Sequence, residues 1–435
     1  MSKSTARESD QRPLRIALIG TRGVPARYGG FETAVEEVGK RLVARGHEVT
    51  VYCRTVPGQP RPAEHLGMRL VHLPALRRKT LETLSHTFLS ALHGIVRRRR
   101  FDAAFVFNAG NAFFVPLVRR LRTPVAVHVD GLEWRRAKWS GLGRRYYRVA
   151  EAAAVRWADA LIADARGIAE YYEEEFGVTT RQIAYGAEVL RDLGHDRLAE
   201  VRLEPRCYHL VVARFEPENN VELIVRAYHA SNAVLPLVVV GSAPYADEYT
   251  ARIEEMAAAD GRIHLLGGVW DQELLDQLYG NARLYLHGHS CGGTNPSLLR
   301  AMGAGAAVAA FDVVFNREVL GQHGMFFHDE AGAIELLASA ESHPAHHRAI
   351  GTWLQYRIDT VYRWDDVADG YEQLALDLAD RRVRRGAASG RRTGADRWNA
   401  PTLSLPPQPE VDVIEPMVQP ADIERRDAPV PVAGS

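Results

Sequence analysis

Cysteine is scarce in this chain of 435 residues. The three cysteines, Cys53, Cys207 and Cys291, lie far apart and never form the Cys-x-x-Cys spacing of zinc sites. Their number and spacing argue against a disulfide framework and a structural zinc, and they favour a reducing compartment. We therefore expect a cytoplasmic protein. Separately, we expect no metal and no cofactor.

Long apolar runs are also missing. Residues Met1–Pro13 are polar and of mixed charge, and no later stretch reaches the roughly 18 consecutive apolar residues typical of a membrane span. The sequence therefore predicts neither a secretory signal peptide nor a transmembrane helix.

The chain has no net charge, because 54 lysines and arginines balance 54 acidic residues, but the charges are unevenly distributed. Segment Arg77–Arg148 holds 16 basic and four acidic residues, a net charge of +12, which indicates a partner with anionic groups. An anionic membrane surface is one candidate, whereas no nucleic-acid recognition motif accompanies the charge. The run Arg97–Arg100 is equally typical of a solvated helix C-terminus.

What the sequence does contain is a regular alternation of short apolar runs with amphipathic stretches. The apolar fraction of 46% and the charged fraction of 25% are those of a folded globular protein. The predicted strands are Arg15–Ile19, His47–Cys53, Arg69–Leu73, Ala103–Phe107, Val125–Val129 and Ala160–Ala163, and then His209–Ala213, Leu237–Val240, Ile263–Leu266, Arg283–Leu286 and Ala307–Phe311. Such alternation is typical of parallel sheets with helices on both faces. The predicted fold class is α/β, with two facing Rossmann-like domains.

The polar stretch 191–206 separates the two series and is interpreted as a hinge region. We expect a disordered N-terminus over 1–13, a first Rossmann-like domain over 14–190 and a second over 207–340. C-terminal closing helices follow over 341–384, ending in a predicted helix Trp364–Arg382. A disordered Pro-rich tail is predicted over 385–435, because Pro401–Ser435 alone contains eight prolines.

A glycine-rich loop follows the first predicted strand. It runs from Gly20 to Gly30 and meets a predicted helix near Phe31, so backbone N–H groups and the helix dipole favour an anion or sugar hydroxyls there. Dinucleotide-binding enzymes need Gly-x-Gly-x-x-Gly in this loop and an acidic residue ending the second strand. This second strand runs into Cys53 and Arg54 instead, which argues against a nicotinamide enzyme.

Four separated stretches carry a resemblance. They are GVPARYGGFET at 23–33 with RGHEVTV at 45–51, HVDGLEWRRAKW at 128–139, RFEPENN at 214–220 and HGHSCGGTNPSLL at 287–299. Over residues 14–380 the chain resembles the family 4 glycosyltransferases of GT-B fold, and within them the rhamnosyltransferase-like group. The resemblance implies an acceptor domain, then a nucleotide-sugar domain, retaining transfer in polysaccharide biosynthesis, and no obligatory metal. It points to a glycan or polyprenyl-linked acceptor and leans towards rhamnose.

The resemblance also implies site residues. The expected catalytic residues are His128, Asp130 and Arg214, with Arg214 on the diphosphate and His128 hydrogen-bonded to a sugar. The expected donor-binding residues are Gly29, Gly30, Asn219, Thr294, Asn295, Ser297, Leu298 and Arg300, and the expected acceptor-binding residues are Tyr28, Glu133, Trp134 and Arg135. Side chains at 294–297 are equally typical helix N-caps, and Trp134 is equally typical of a core.

The chain departs from the family at three of these places. Asn219 stands where the family generally has lysine, and Gly292 and Arg300 stand where two glutamates commonly contact the transferred sugar and the ribose. Two alternatives to a transferase therefore stay open. One is a catalytically impaired sugar-nucleotide-binding or partner subunit of the same fold, and the other is a nucleotide-sugar 2-epimerase.

Overall fold

The computed structural model of the protein describes residues 12–26, 29–76, 78, 81–129, 131–136, 139, 141–241, 247–383 and 388–394. Within these ranges the chain forms two α/β units, each built on its own sheet, which confirms the predicted pair of Rossmann-like domains. None of the helices described is long and apolar enough to cross a membrane.

The first sheet is built from strands that mostly follow the sequence prediction. In the described residues they are β1 (Arg15–Ile19), β2 (Glu48–Arg54), β3 (Glu64–His65), β4 (Met68–Leu73), β5 (Ala103–Phe107), β6 (Val125–Val129), β7 (Ala160–Ala163) and β8 (Arg181–Gln182). Their order is β3-β4-β2-β1-β5-β6-β7-β8, parallel except for β3 against β4. The strands β3 and β8 were not predicted, because two polar residues give no apolar run. The helices are α1 (Gly30–Ala44), α2 (Glu82–Val96), α3 (Val115–Val118), α4 (Gly141–Trp157) and α5 (Arg166–Phe176).

The second sheet is parallel throughout, in the order β11-β10-β9-β12-β13-β14. Its described strands are β9 (His209–Val212), β10 (Leu237–Val240), β11 (Ile263–Gly267), β12 (Leu284–His287), β13 (Val308–Phe311) and β14 (Met325–Phe327). The helices are α6 (Val221–Ala230), α7 (Asp247–Ala259), α8 (Gln272–Gly280), α9 (Pro296–Gly303), α10 (Val314–Leu320), α11 (Glu330–Ser342) and α12 (Pro344–Val361). Predicted strand ends differ from the observed ones by one residue, and β14 was not predicted.

The last described helix, α13 (Trp364–Ala379), returns to the first domain after the second is complete. Tyr371 is 2% exposed, and its ring lies 5.1 Å from that of Phe105 on β5. At the surface of the same contact, Glu372 pairs with Arg45 at 2.7 Å and with His47 at 2.9 Å. The chain therefore crosses between the domains twice, and α13 ties the end of the second domain to the core of the first.

The start of the predicted disordered tail is ordered, which corrects the prediction for residues 388–394. Arg392 binds the carboxylates of Glu151 and Glu175, which are 2% and 1% exposed, and donates to the Tyr171 hydroxyl at 2.7 Å. The backbone N–H of Thr393 donates to the Glu175 carbonyl at 2.8 Å. Two buried carboxylates need a counter-ion, and the tail supplies it. Residues 1–11, 384–387 and 395–435 lie outside the described part of the chain.

Candidate active site

The strand order places the site between the two sheets. In the first sheet the order reverses between β1 and β5, and in the second it reverses between β9 and β12. Open parallel sheets bind ligands outside the carboxyl ends of the strands at such reversals. The loops that follow β1, β9 and β12 carry the glycine-rich segment, Arg214 and the stretch 288–295, so three of the four resembling segments meet at these two edges.

Two helix N-termini face each other across the gap between the two domains. Helix α1 begins at Gly30 after the cap residue Gly29, which has φ +106°, and α9 begins at Pro296. A Cβ atom on Gly30 would lie 2.6 Å from Cγ of Pro296, so the domains touch here and a larger residue would require a shift. Asn295 caps α9, its Oδ1 accepting from the backbone N–H of Ser297 at 3.0 Å. Both dipoles present their positive ends to the gap, which favours an anion.

The loop after β12 lies against the first domain through its glycines. A Cβ atom on Gly131 would lie 2.5 Å from the Cα of Gly292, and one on Gly293 would lie 1.9 Å from Oδ1 of Asp164. The hydroxyl of Thr294 donates to the Asp164 carbonyl at 2.5 Å. The gap is therefore closed at this end, and the missing side chains are what allow the closure.

Arg214 lies two residues after the end of β9, at the carboxyl edge of the second sheet. Its side chain is 45% exposed and pairs with Glu216 at 3.3 Å. Burial and the nearby charges of Arg214 and Arg136 together lower the pKa of His289 to about 3, which places the Arg214 guanidinium near the loop that follows β12. Asn219 has a supporting position, because it is 3% exposed and its amide donates to the Arg214 carbonyl at 2.9 Å. Asn219 thus holds the backbone of the loop that presents Arg214.

The two remaining donor candidates lie on α9. Leu298 is fully buried in the core. The Nε of Arg300 donates to Asp276 on α8 at 2.5 Å, and its guanidinium also contacts Gln272. Arg300 is therefore engaged by its own domain, and position 300 offers the ligand no carboxylate.

His128 is the second-last residue of β6 and lies among aromatic rings. It is 1% exposed, and the rings of Phe31, Phe107 and Tyr185 lie 5.2, 5.6 and 5.9 Å from its own. Burial lowers the pKa of His128 to about 3, so the imidazole is neutral at physiological pH. A neutral imidazole can donate or accept a hydrogen bond but is a weak base. The predicted partners Asp130 and Tyr28 lie outside the described residues.

The three acceptor candidates of the first domain have different surroundings. Glu133 pairs with Arg136 at 2.6 Å. Trp134 is 7% exposed within a hydrophobic cluster, and the guanidinium of Arg148 lies 5.0 Å from its ring. Burial lowers the pKa of Arg135, and the Cys291 thiol opposes this shift. The opposing effect indicates that the Arg135 guanidinium lies near the second domain. Arg135 is therefore the acceptor candidate that lies near the loop after β12.

Sequence reasoning missed two groups at the ends of β9 and β12. The rings of His287 and His289 stack at 4.3 Å, and the hydroxyl of Tyr285 lies 2.9 Å from Nδ1 of His287. Glu218 lies beside Asn219 with its carboxylate buried. The available signal was position, since these residues lie in β12 or in the loops after β9 and β12, at the ligand-binding edge.

Comparisons with known proteins give the class. Residues 29–186 match the model of a glycosyl transferase 4-like domain, and residues 206–341 match that of glycosyl transferases group 1. A search of curated proteins finds no match. The protein is a glycosyltransferase of GT-B fold.

Several solved structures share this fold. Sucrose-phosphate synthase from Thermosynechococcus elongatus has a TM-score of 0.70 at 22% identity, over 85% of this chain and 100% of that one. Anabaena HepE in complex with UDP and glucose has a TM-score of 0.69 at 14% identity, over 84% and 100%. The catalytic domain of starch synthase IV from Arabidopsis thaliana, bound to ADP and acarbose, has a TM-score of 0.64 at 12% identity, over 85% and 100%.

Proposed function

We propose that this glycosyltransferase moves a hexose-type sugar from a nucleoside diphosphate to a glycan or a polyprenyl-linked glycan in polysaccharide biosynthesis. The observation that carries the proposal is the meeting of two helix N-termini and the exposed Arg214 at the gap between the sheets. An anionic diphosphate is the ligand that this electrostatic arrangement favours. Structures of the same fold in complex with UDP and UDP-glucose agree with it.

We further propose that transfer proceeds with retention at the anomeric carbon. The low basicity of His128 supports this, because a buried neutral imidazole is poorly suited to removing the acceptor proton. The leaving diphosphate then takes that proton, and His128 orients a sugar hydroxyl. The lean towards rhamnose as the transferred sugar rests on the sequence resemblance alone.

The test is a thermal-shift titration with UDP, GDP and dTDP and with their glucose, mannose and rhamnose conjugates. A ligand that binds only the folded protein adds about 2.7 kcal/mol to its free energy of unfolding at 100 times the ligand's Kd, and this raises the melting temperature. We expect one base to give a clear shift, and slow hydrolysis of its sugar conjugate in water. No shift with any of these compounds would overturn the proposal.

Substituting Gly30 should separate donor binding from closure of the gap. In Gly30→Ala the new methyl group would meet Pro296 at 2.6 Å, while the backbone of Gly30 does not need positive φ. Because misplacement by about 1 Å can cost 100-fold in rate and the proline ring can yield, we expect kcat to fall about tenfold. The diphosphate Kd should change little.

The matched control is Gly94→Ala in α2, where a Cβ atom would make an ordinary 3.8 Å contact with the Tyr52 hydroxyl. That variant should keep its kcat. A Gly30→Ala enzyme with unchanged kcat would show that the observed approach of the two domains is not needed for transfer.

We also propose that the first domain docks on an anionic membrane surface when it takes a lipid-linked acceptor. Helix α2 exposes Phe88, Leu92 and Val96, at 42%, 41% and 69%, along one side. The arginines 97–100 follow directly at its C-terminus. An apolar stripe next to cationic side chains is typical of helices that lie in the membrane interface.

Removing the apolar stripe should weaken this docking. Leu92→Ser combined with Val96→Ser deletes two exposed side chains, and burial of such groups is worth about 1 kcal/mol each, so binding should fall about tenfold or more. Co-sedimentation with phosphatidylcholine vesicles, with and without phosphatidylglycerol, measures this. The control is Val234→Ser, which removes a 77% exposed valine from the second domain. Equal losses in both variants, or no binding by the unaltered protein, would contradict the proposal.

A further inference from the structure

Glu218 links the two loops that end β9 and β12. It lies in a 3-10 turn, Pro217–Asn219, and is 9% exposed. Its backbone carbonyl accepts from the N–H and from the hydroxyl of Ser290, both at 2.9 Å. The main chain of Glu218 therefore connects the two loops, and its side chain is not needed for this connection.

The carboxylate of Glu218 is buried without compensation. Both oxygens are shielded from solvent, and neither has a hydrogen-bond partner among the residues that the structure describes. Burial raises the pKa of the neighbouring Cys291 thiol, and the negative charge of Glu218 raises it further, so the carboxylate lies on the side of Cys291. A buried carboxylate without a partner is costly, and such a group needs an explanation, of which a functional role is one.

Position 292 directly follows Cys291. Gly292 has φ +127°, and a Cβ atom there would meet nothing within 4 Å, so the space on that side of its backbone is open although its other side touches Gly131. In the resembling family a glutamate commonly stands here and contacts the transferred sugar. This chain lacks a carboxylate at position 292, and the carboxylate of Glu218 lies near Cys291 instead.

We infer that Glu218 is the carboxylate that contacts the transferred sugar, in place of the side chain missing at Gly292. The inference rests on the proposed function. Its oxygens accept hydrogen bonds from sugar hydroxyls, and its charge stabilises the positive charge that develops at the anomeric carbon. During transfer, the bond from the anomeric carbon to the diphosphate oxygen breaks with its electron pair on the diphosphate. A bond to the acceptor oxygen forms, and the acceptor proton passes to the leaving phosphate; Glu218 itself forms no covalent bond.

Glu218→Gln tests the inference, because glutamine keeps the size of the side chain and removes its charge. With the nucleotide that the unaltered protein binds, the Kd of the nucleoside diphosphate should stay within about twofold, since the diphosphate lies on Arg214 and the helix N-termini. The Kd of the sugar conjugate should rise about tenfold, and kcat should fall about 100-fold. Without ligand, the melting temperature should rise by about 1–3 °C, because an unpaired charge has been removed from a buried position.

The control is Glu222→Gln in the first turn of α6, where the carboxylate pairs at the surface with Arg252 at 3.1 Å. It should leave both Kd values and kcat unchanged. A fall in melting temperature with equal losses for diphosphate and sugar conjugate would assign Glu218 a structural role and overturn the inference. Unchanged affinity for the sugar conjugate would also overturn it. If the unaltered protein binds no nucleotide sugar at all, the proposed function fails first, and the inference fails with it.

Discussion

Replacing Arg214 with alanine is expected to lower kcat/KM for sugar transfer by about 100- to 1,000-fold, the cost of removing one preorganised group that stabilises transition-state charge. The diphosphate gains negative charge as the bond to the sugar breaks. Asn219 carries no charge and is turned to the Arg214 carbonyl, so it cannot take over. Among the described residues that we expect to contact the diphosphate, Arg214 is therefore the cation that should contribute most to stabilising its charge.

The control for this prediction is Arg226→Ala. Arg226 lies on α6 of the same domain, is 49% exposed, and pairs with Glu222 and Glu330. It should keep its activity, since surface ion pairs contribute little. Steady-state kinetics with the donor identified by thermal shift measures both variants. If kcat/KM of the Arg214→Ala enzyme stays within tenfold of that of the unaltered protein, the diphosphate binds elsewhere.

Replacing Arg392 with methionine is expected to destabilise the first domain by about 3–5 kcal/mol, the usual cost of leaving one partner of a buried ion pair uncompensated. Glu151 and Glu175 would then keep their burial without their cation. For a unit of this size the melting temperature should fall by roughly 6–15 °C. Deleting residues 384–435 should have the same effect, whereas deleting 395–435 should leave the melting temperature unchanged.

The Arg392 effect should depend on pH with a defined sign. Burial raises the pKa of Glu151 to about 7 even though Arg392 opposes the shift, so losing Arg392 raises this pKa further. When the pKa of a carboxyl group is higher in the folded protein than in the unfolded chain, the folded protein binds more protons. The free energy of unfolding therefore falls as the pH rises towards the folded-state pKa. The Arg392→Met variant should therefore be most destabilised above about pH 8 and should recover towards pH 6.

The neighbouring exposed residue provides the control for both parts of this prediction. Arg391→Met removes a cation from the same segment without touching the buried carboxylates. Melting curves at several pH values measure both variants. Equal losses of stability in the two, or a loss that grows on acidification, would show that Arg392 does not neutralise Glu151 and Glu175.

Much of the fold is visible in local sequence patterns. Apolar runs such as Ala103–Phe107 and Val125–Val129 are buried along their whole length, as strands of a parallel sheet covered on both faces must be. The same reasoning locates Arg214, because a polar residue directly after a buried strand lies at the ligand-binding edge. The same reasoning does not predict short polar strands such as Arg181–Gln182, because these form by pairing with a neighbouring strand and have no apolar pattern of their own.

The site is less visible than the fold. Trp134 and Leu298 match the motif yet belong to the core, and Asn219 supports a loop. Motif spacing shows which segment reaches the site, but the direction of each side chain depends on what packs against it. Glu218 was missed because its isolation is a property of the atoms around it in space.

The sequence by itself determined the two α/β domains, the glycine-rich loop before α1 and the strand-end position of Arg214, because each depends on residues close together along the chain. The tertiary structure decided that α13 returns to the first domain, that Arg392 pairs with Glu151 from 241 positions away, and that the Glu218 carboxylate is buried without a hydrogen-bond partner in the described residues. Hydrophobic periodicity is a local signal that repeats many times. A desolvated charge is a single residue whose partner, or lack of one, is settled only when distant segments pack together.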